Sequence, residues 1–204
     1  MSLTFHFKCF FLFVLAFILF TAIGTITHEL GHIAVAEFLG YSTTLYHDSM
    51  NYNSWEASEF HGFLVTLGGP LQTMLTGILG LVILRSRKNK RNTTGFTLWD
   101  WLAVFLSLFW LREVFNVVMS VGMELMKPNG TYFGGDEAGL AWYLGIPHGT
   151  FAILFALIGL FVVFYIVFKV IPRNLRLIFI AGGLIGGVMG FVIWMNHLGP
   201  LLFS

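Results

Sequence analysis

Two histidines and a glutamate are spaced so that they could act on one metal ion. His28, Glu29 and His32 occur in the run Thr-His-Glu-Leu-Gly-His. On a helix, residues four apart lie on one face, so both imidazoles can reach one ion while Glu29 points at an open coordination position. Zinc in such a site lowers the pKa of a bound water to about 7, and a glutamate can take and return its proton. The pattern predicts metal-assisted hydrolysis.

This motif lies within a hydrophobic segment, where ionisable groups are costly. The stretch from Phe10 to Leu39 is otherwise apolar, and ionisable residues at membrane depth indicate a functional site. Purely structural histidines are the alternative, but a buried polar cluster without a ligand would be destabilising. We expect Gly31, next to His32, to leave the helix surface open to a substrate backbone.

The composition is that of an integral membrane protein. Of 204 residues, 57% are hydrophobic, only 10% are charged and 23 are Phe. The single Cys9 excludes an internal disulfide and lies in an apolar run, which favours a packing role. The apolar run after Lys8 has no small-residue cleavage site, so we expect a retained span rather than a signal peptide.

Five apolar segments are long enough to cross a hydrocarbon core of about 30 Å. We therefore predict an all-α integral membrane protein, a bundle of about five transmembrane helices that forms one domain over residues 1–204. The third segment is expected to face protein because it contains Asp100, Arg112, Glu113 and Asn116. Glycines between Gly182 and Gly190 favour close helix packing inside the bundle over dimerisation. The five segments cover residues 7–39, 61–84, 96–123, 148–171 and 175–200.

Loop charges predict the orientation of the bundle. By the positive-inside rule, the N-terminus and the basic loops after the second and fourth segments lie in the cytoplasm. The loops over residues 41–60 and 124–147 are acidic, hold only Lys127 among basic residues, and are expected outside. The motif would then lie towards the outer side of a bacterial inner membrane. Because topology explains the basic residues, we expect no nucleic-acid partner. Those residues are Lys8, Arg85, Arg87, Lys88, Lys90, Arg91, Lys169, Arg173 and Arg176.

A hydrolytic zinc site needs a third protein ligand. Asp136 is the preferred candidate, because the two glycines before it allow a sharp turn that could bring its carboxylate into the bundle. The alternative is a solvated loop in which Asp136 caps the next helix and Glu137 lies in its first turn. The substitutes as third ligand are, in order, Glu137, His148, His61 and His197.

Several further polar or helix-breaking residues fall at the depth of His32 and could form a water-accessible site between helices. Arg112 could stabilise an oxyanion, but an ion pair with Glu113, Asp100 or Glu137 is the favoured role. The possible substrate-binding or ligand-orienting residues are Gly69, Pro70, Thr73, Arg112, Asn116, Glu137 and His148.

The chain resembles site-2-type intramembrane zinc metalloproteases. The resemblance rests on His28-Glu29-Leu-Gly-His32 at the end of a span, on Gly69-Pro70-Leu71 in the next segment, and on a later acidic loop residue. It implies one zinc ion per chain, bound by His28, His32 and Asp136, with Glu29 as general acid and base. The implied reaction is hydrolysis of a peptide bond in a membrane protein substrate.

The chain also departs from the pattern of that family. Thr73 stands where the family commonly has Asn, Asn116 lacks the proline that commonly follows, and Asp136 precedes Glu137 instead of Gly. Many members place the metal towards the cytosol, whereas the loop charges here place it outside.

Residues 41–55 are strand-like in composition and carry interfacial aromatics. They resemble the membrane-associated β segment by which the family adds a substrate strand to a sheet edge. An aromatic anchor at the interface explains the same residues equally well.

Two functions of other classes stay open. A metal-binding or transport protein would carry ligands at several depths, whereas the polar groups here fall in one layer. A catalytically silent relative could serve as a scaffold for membrane segments, but the intact Glu29 favours the protease.

Overall fold

The computed structural model describes residues 7–126 and 133–203 and is almost entirely helical. Lys127 lies outside the described residues. Five helices are long and apolar enough to cross a membrane, so the predicted bundle is confirmed, with span ends within two residues of those predicted. They cover Phe7–Phe38, Glu59–Ser86, Leu98–Met123, Gly149–Val170 and Arg176–Leu202.

Helix α1 (Phe7–Phe38) is followed by strands β1 (Thr43–Leu45) and β2 (Met50–Tyr52), then by α2 (Glu59–Ser86) and the short α3 (Lys88–Thr94). The third span consists of α4 (Leu98–Ser107), a 3-10 turn (Leu108–Trp110) and α5 (Leu111–Met126). A short α6 (Gly135–Tyr143) precedes the fourth span, α7 (Gly149–Tyr165) with a π-helical turn (Ile166–Val170). The last span contains α8 (Arg176–Ile193), a second π-helical turn (Trp194–Leu198) and α9 (Gly199–Leu202).

Glycines let α8 pack directly on α1. A Cβ at Gly186 would lie 2.6 Å from the Val14 carbonyl oxygen and 2.8 Å from the Phe17 Cβ. A Cβ at Gly182 would lie 2.8 Å from the Phe13 Cβ. The small-residue surface of the fifth span is therefore used inside the bundle, as predicted, and it holds the helix that carries the histidines.

Helix α1 also crosses α2 at close range. A Cβ at Gly31 would lie 2.6 Å from the Gly68 carbonyl oxygen and 2.7 Å from the Gln72 Cβ. The expectation that Gly31 leaves an open surface for substrate was wrong, because the second span covers this face of α1. The crossing instead brings His28 and His32 against α2.

The third span faces protein, as predicted. Asp100 and Glu113 are fully buried, and Arg112 and Asn116 are half-buried. The Arg87 Nε donates to the Asp100 Oδ1 at 3.1 Å, which fixes the start of α4 at the basic end of the bundle.

The break between α4 and α5 was not predicted. The 3-10 turn lies against α2, and a Cβ at Gly80 would come 2.6 Å from the Ser107 Oγ. A Cβ at Gly77 would come 2.5 Å from the Trp110 Nε1. Glycines on α2 thus leave room for the Ser107 and Trp110 side chains at the break in the third span.

Strands β1 and β2 form an antiparallel hairpin, which confirms the predicted β segment. The Trp194 Nε1 donates to the His47 carbonyl oxygen at 2.8 Å, and the Tyr41 hydroxyl lies 2.7 Å from the His61 Nδ1. These two contacts tie the hairpin to the last and the second spans.

We predict that Gly186→Ala lowers the free energy of unfolding by about 1–3 kcal/mol, because the added methyl group must displace α1. The matched control is Gly187→Ala, where a Cβ has nothing within 4 Å and helix propensity improves. Thermal unfolding in detergent should show a lower midpoint for the first variant only. Equal midpoints would refute this packing role.

Candidate metal centre

The three residues of the motif are buried together on α1. His28 is fully buried, and Glu29 and His32 are each 6% exposed. Their ligand atoms lie within 4.8 Å of one another. The prediction that the spacing brings both imidazoles and the carboxylate to one place is therefore confirmed by the geometry.

Helix α6 brings Asp136 to the two histidines. The Asp136 Oδ2 lies 2.8 Å from the His28 Nε2 and 3.3 Å from the His32 Nε2, and the two nitrogens are 3.3 Å apart. Ligands at about 2.0–2.1 Å from a tetrahedral zinc ion are roughly 3.3–3.4 Å from each other. The three atoms thus form a triangle of the size that one zinc ion requires. The distance between Asp136 and His28 is the shortest one.

The Asp136 carboxylate does not cap α6. The helix begins at Gly135, with Gly134 as its N-cap, and Gly135 has a φ of 75°, a conformation that favours glycine. Burial opposes ionisation of Asp136, but hydrogen bonds with His28 and His32 and the charge of these rings outweigh it, so the pKa of Asp136 lies well below its usual range. The carboxylate form that a metal ligand needs is therefore favoured.

The second nitrogen of each imidazole is fixed by α2. The His32 Nδ1 donates to the Val65 carbonyl oxygen at 2.7 Å, and because a carbonyl only accepts, a metal would bind at Nε2 after displacing the proton that this nitrogen donates to Asp136. The His28 Nδ1 lies 2.9 Å from the Thr73 Oγ1, which can accept its proton in the same way. Such partners orient metal-binding histidines.

Gly69 and Pro70 shape the wall of α2 next to the imidazoles. A Cβ at Gly69 would collide with the Nε2 atoms of both His28 and His32, so only glycine permits this approach. Pro70 has no N–H, and the carbonyl of Thr66, four residues earlier, therefore lacks its usual helical donor. Thr66 lines the cavity beside the histidines.

That cavity has a volume of about 320 Å³, and side chains that could bind a metal or transfer a proton line it. Its lining includes Glu29, His32 and Asp136, together with Arg112 and strand β2. A larger cavity of about 400 Å³, between α1 and α4, has an apolar lining and lies away from these groups.

Arg112 does not form the favoured ion pair. Over the described ranges, the arginine–carboxylate pairs within 4 Å join Arg87 and Arg91 to Asp100, and none involves Arg112. The expectation was wrong because Asp100 lies at the basic end of the bundle, where Arg87 and Arg91 pair with it, and neither Glu113 nor Glu137 comes within 4 Å of an Arg112 nitrogen.

Glu137 and Glu113 are both buried. Both oxygens of Glu113 and one of Glu137 have no hydrogen-bond partner among the described residues. Helix α6, which carries Asp136, is held against α2 by the Phe63 and Tyr143 rings, which stack with their centroids 4.5 Å apart.

The remaining candidates lie apart from the triangle. His148 and His197 are exposed, and His61 contacts Tyr41. Asn116 is half-buried and is not among the residues that line the cavity. Thr73, one of the predicted ligand-orienting candidates, contacts His28. The Val65 carbonyl that contacts His32 was not predicted, because it depends on helix packing, which the sequence pattern does not specify.

Comparison with known proteins gives no relative from which a role could be transferred. No protein family, curated protein or solved structure matches the chain.

We predict that Thr73→Val weakens zinc binding about 10- to 100-fold, because it removes the partner of the His28 Nδ1 while preserving side-chain volume. Thr76→Val is the control, since the Thr76 hydroxyl accepts from Gln72 and touches neither histidine. Competition with a chromophoric chelator measures both affinities. Equal affinities in the two variants would refute the orienting role.

Proposed function

We propose that the protein is a zinc-dependent endopeptidase that hydrolyses a peptide bond of a membrane protein, within or next to the bilayer. The observation that carries the proposal is the triangle formed by His28, His32 and Asp136, with Glu29 beside it in the wall of a cavity. The donor set of two imidazoles and one carboxylate suits zinc, and three protein ligands leave a fourth position for chemistry. The resemblance of the motif to site-2-type proteases supports the same assignment.

When bound, zinc would supply Lewis-acid chemistry, because it acidifies water and polarises a carbonyl group. Glu29 accepts a proton from the attacking water as the water oxygen bonds to the carbonyl carbon and the π electrons move to the carbonyl oxygen. Glu29 then gives this proton to the leaving nitrogen as the C–N bond breaks. The products are a carboxyl group and an amine, and Glu29 returns to its starting form.

Strand β2 offers a backbone edge for an extended substrate. Its pairing with β1 occupies one edge, and Met50 and Tyr52 line the cavity while Asn51, between them, is exposed. An extended peptide can add to a free edge through main-chain hydrogen bonds. A substrate bound in this way would lie along the wall that faces Glu29.

The position of the site along α1 fits a substrate that is near the interface. His32 precedes the last residue of α1, Phe38, by six residues, or about 9 Å of helix. By the loop charges, we infer that this end faces the outside of a bacterial inner membrane. In the described part of the chain, His28, Glu29 and His32 form the one group of three or more potential metal-binding side chains, whereas ion transport would use several along a path.

We predict that Glu29→Gln retains zinc but lowers peptide cleavage at least about 100-fold, because the amide cannot accept the proton. The matched control is Glu37→Gln, which changes an exposed glutamate of the same helix that accepts from Thr43. Each variant is incubated in proteoliposomes with membrane proteins, and mass spectrometry identifies new termini. Cleavage at the wild-type rate by zinc-loaded Glu29→Gln would refute the mechanism.

A further inference from the structure

We propose that Arg112 is the residue that binds the scissile carbonyl oxygen of the substrate and stabilises the negative charge that this oxygen gains during attack by water. The inference rests on the proposed peptidase function and assigns a catalytic residue to it.

Arg112 belongs to the same cavity as the general base and the third ligand. It lies in the first turn of α5 and lines the wall together with Glu29 and Asp136. A carbonyl group presented to Glu29 in this cavity therefore enters the space that Arg112 borders.

The guanidinium group has a donor that the protein leaves unused. The Arg112 Nε is buried and has no hydrogen-bond acceptor among the described residues, and no carboxylate of that part of the chain lies within 4 Å of the side chain. A buried N–H without an acceptor destabilises the protein, and more so when the group is charged. A substrate oxygen would satisfy this donor.

The acidic residues that line the cavity with Arg112 do not pair with it. Asp136 contacts the two histidines, Asp48 accepts from Ser49, and Glu29 lies in the same lining without an ion pair to Arg112. Arg112 is thus the cation that the cavity presents to an incoming molecule. Its planar fork can direct two N–H groups at one anionic site.

Charge on the carbonyl oxygen appears only as the water adds. A donor already aimed at that position stabilises the transition state more than the bound substrate, and so raises kcat. An acidic substrate side chain bound by Arg112 would instead affect mainly KM.

The test uses methylphosphonate, a tetrahedral anion, as a probe of the zinc-loaded protein in detergent. Titration calorimetry compares wild type with Arg112→Gln and with Arg173→Gln, a control at an exposed arginine between the last two spans. We expect Arg112→Gln to weaken methylphosphonate binding at least about tenfold with zinc content unchanged. The control should bind as wild type does.

Phenylglyoxal labelling of the wild type provides a second measurement that needs no variant. Methylphosphonate should slow modification of Arg112, but not of Arg173, in peptide mass spectra. Equal labelling of Arg112 with and without methylphosphonate would overturn the inference. Calorimetry would also overturn it if the zinc-loaded wild type bound no methylphosphonate, or if Arg112→Gln bound it as tightly as the wild type. A wild type without zinc would overturn the peptidase proposal itself, and this inference with it.

Discussion

The close crossing of α1 and α2 is the contact on which the candidate site depends. Polar side chains at membrane depth are tolerated only where protein groups satisfy them, and α2 can do so because Gly31 and Gly68 let the two backbones approach. At this distance the Val65 carbonyl reaches His32 and the Thr73 hydroxyl reaches His28. A larger residue at the crossing would separate both imidazoles from the groups that orient them.

The rest of the bundle holds further elements against this pair of helices. The glycines of α8 let that helix pack directly on α1, and the stacked rings of Phe63 and Tyr143 hold α6 against α2, where Asp136 meets the histidines. The hairpin is tied to the last span through Trp194. Each element that lines the cavity is therefore anchored by a contact outside it.

Local patterns in the sequence were enough to predict the spans and the grouping of His28 with Glu29 and His32, because hydrophobic length and helical period decide them. The β segment was one of two interpretations of residues 41–55, and the structure has the hairpin. The approach of Asp136 also followed from local chemistry, since two glycines precede an acidic residue. The covered face of Gly31 and the unpaired state of Arg112 could not be predicted in this way. Both depend on which helices are neighbours, and so does the break in the third span.

The metal content of the detergent-purified protein tests the central claim most directly. We expect about one zinc ion per chain in the wild type, and its loss in His28→Ala and Asp136→Ala. His148→Ala, at an exposed histidine outside the triangle, should retain the ion. A well-folded wild type that binds no zinc, or an Asp136→Ala variant that binds it as tightly as the wild type, would contradict the proposed ligand set.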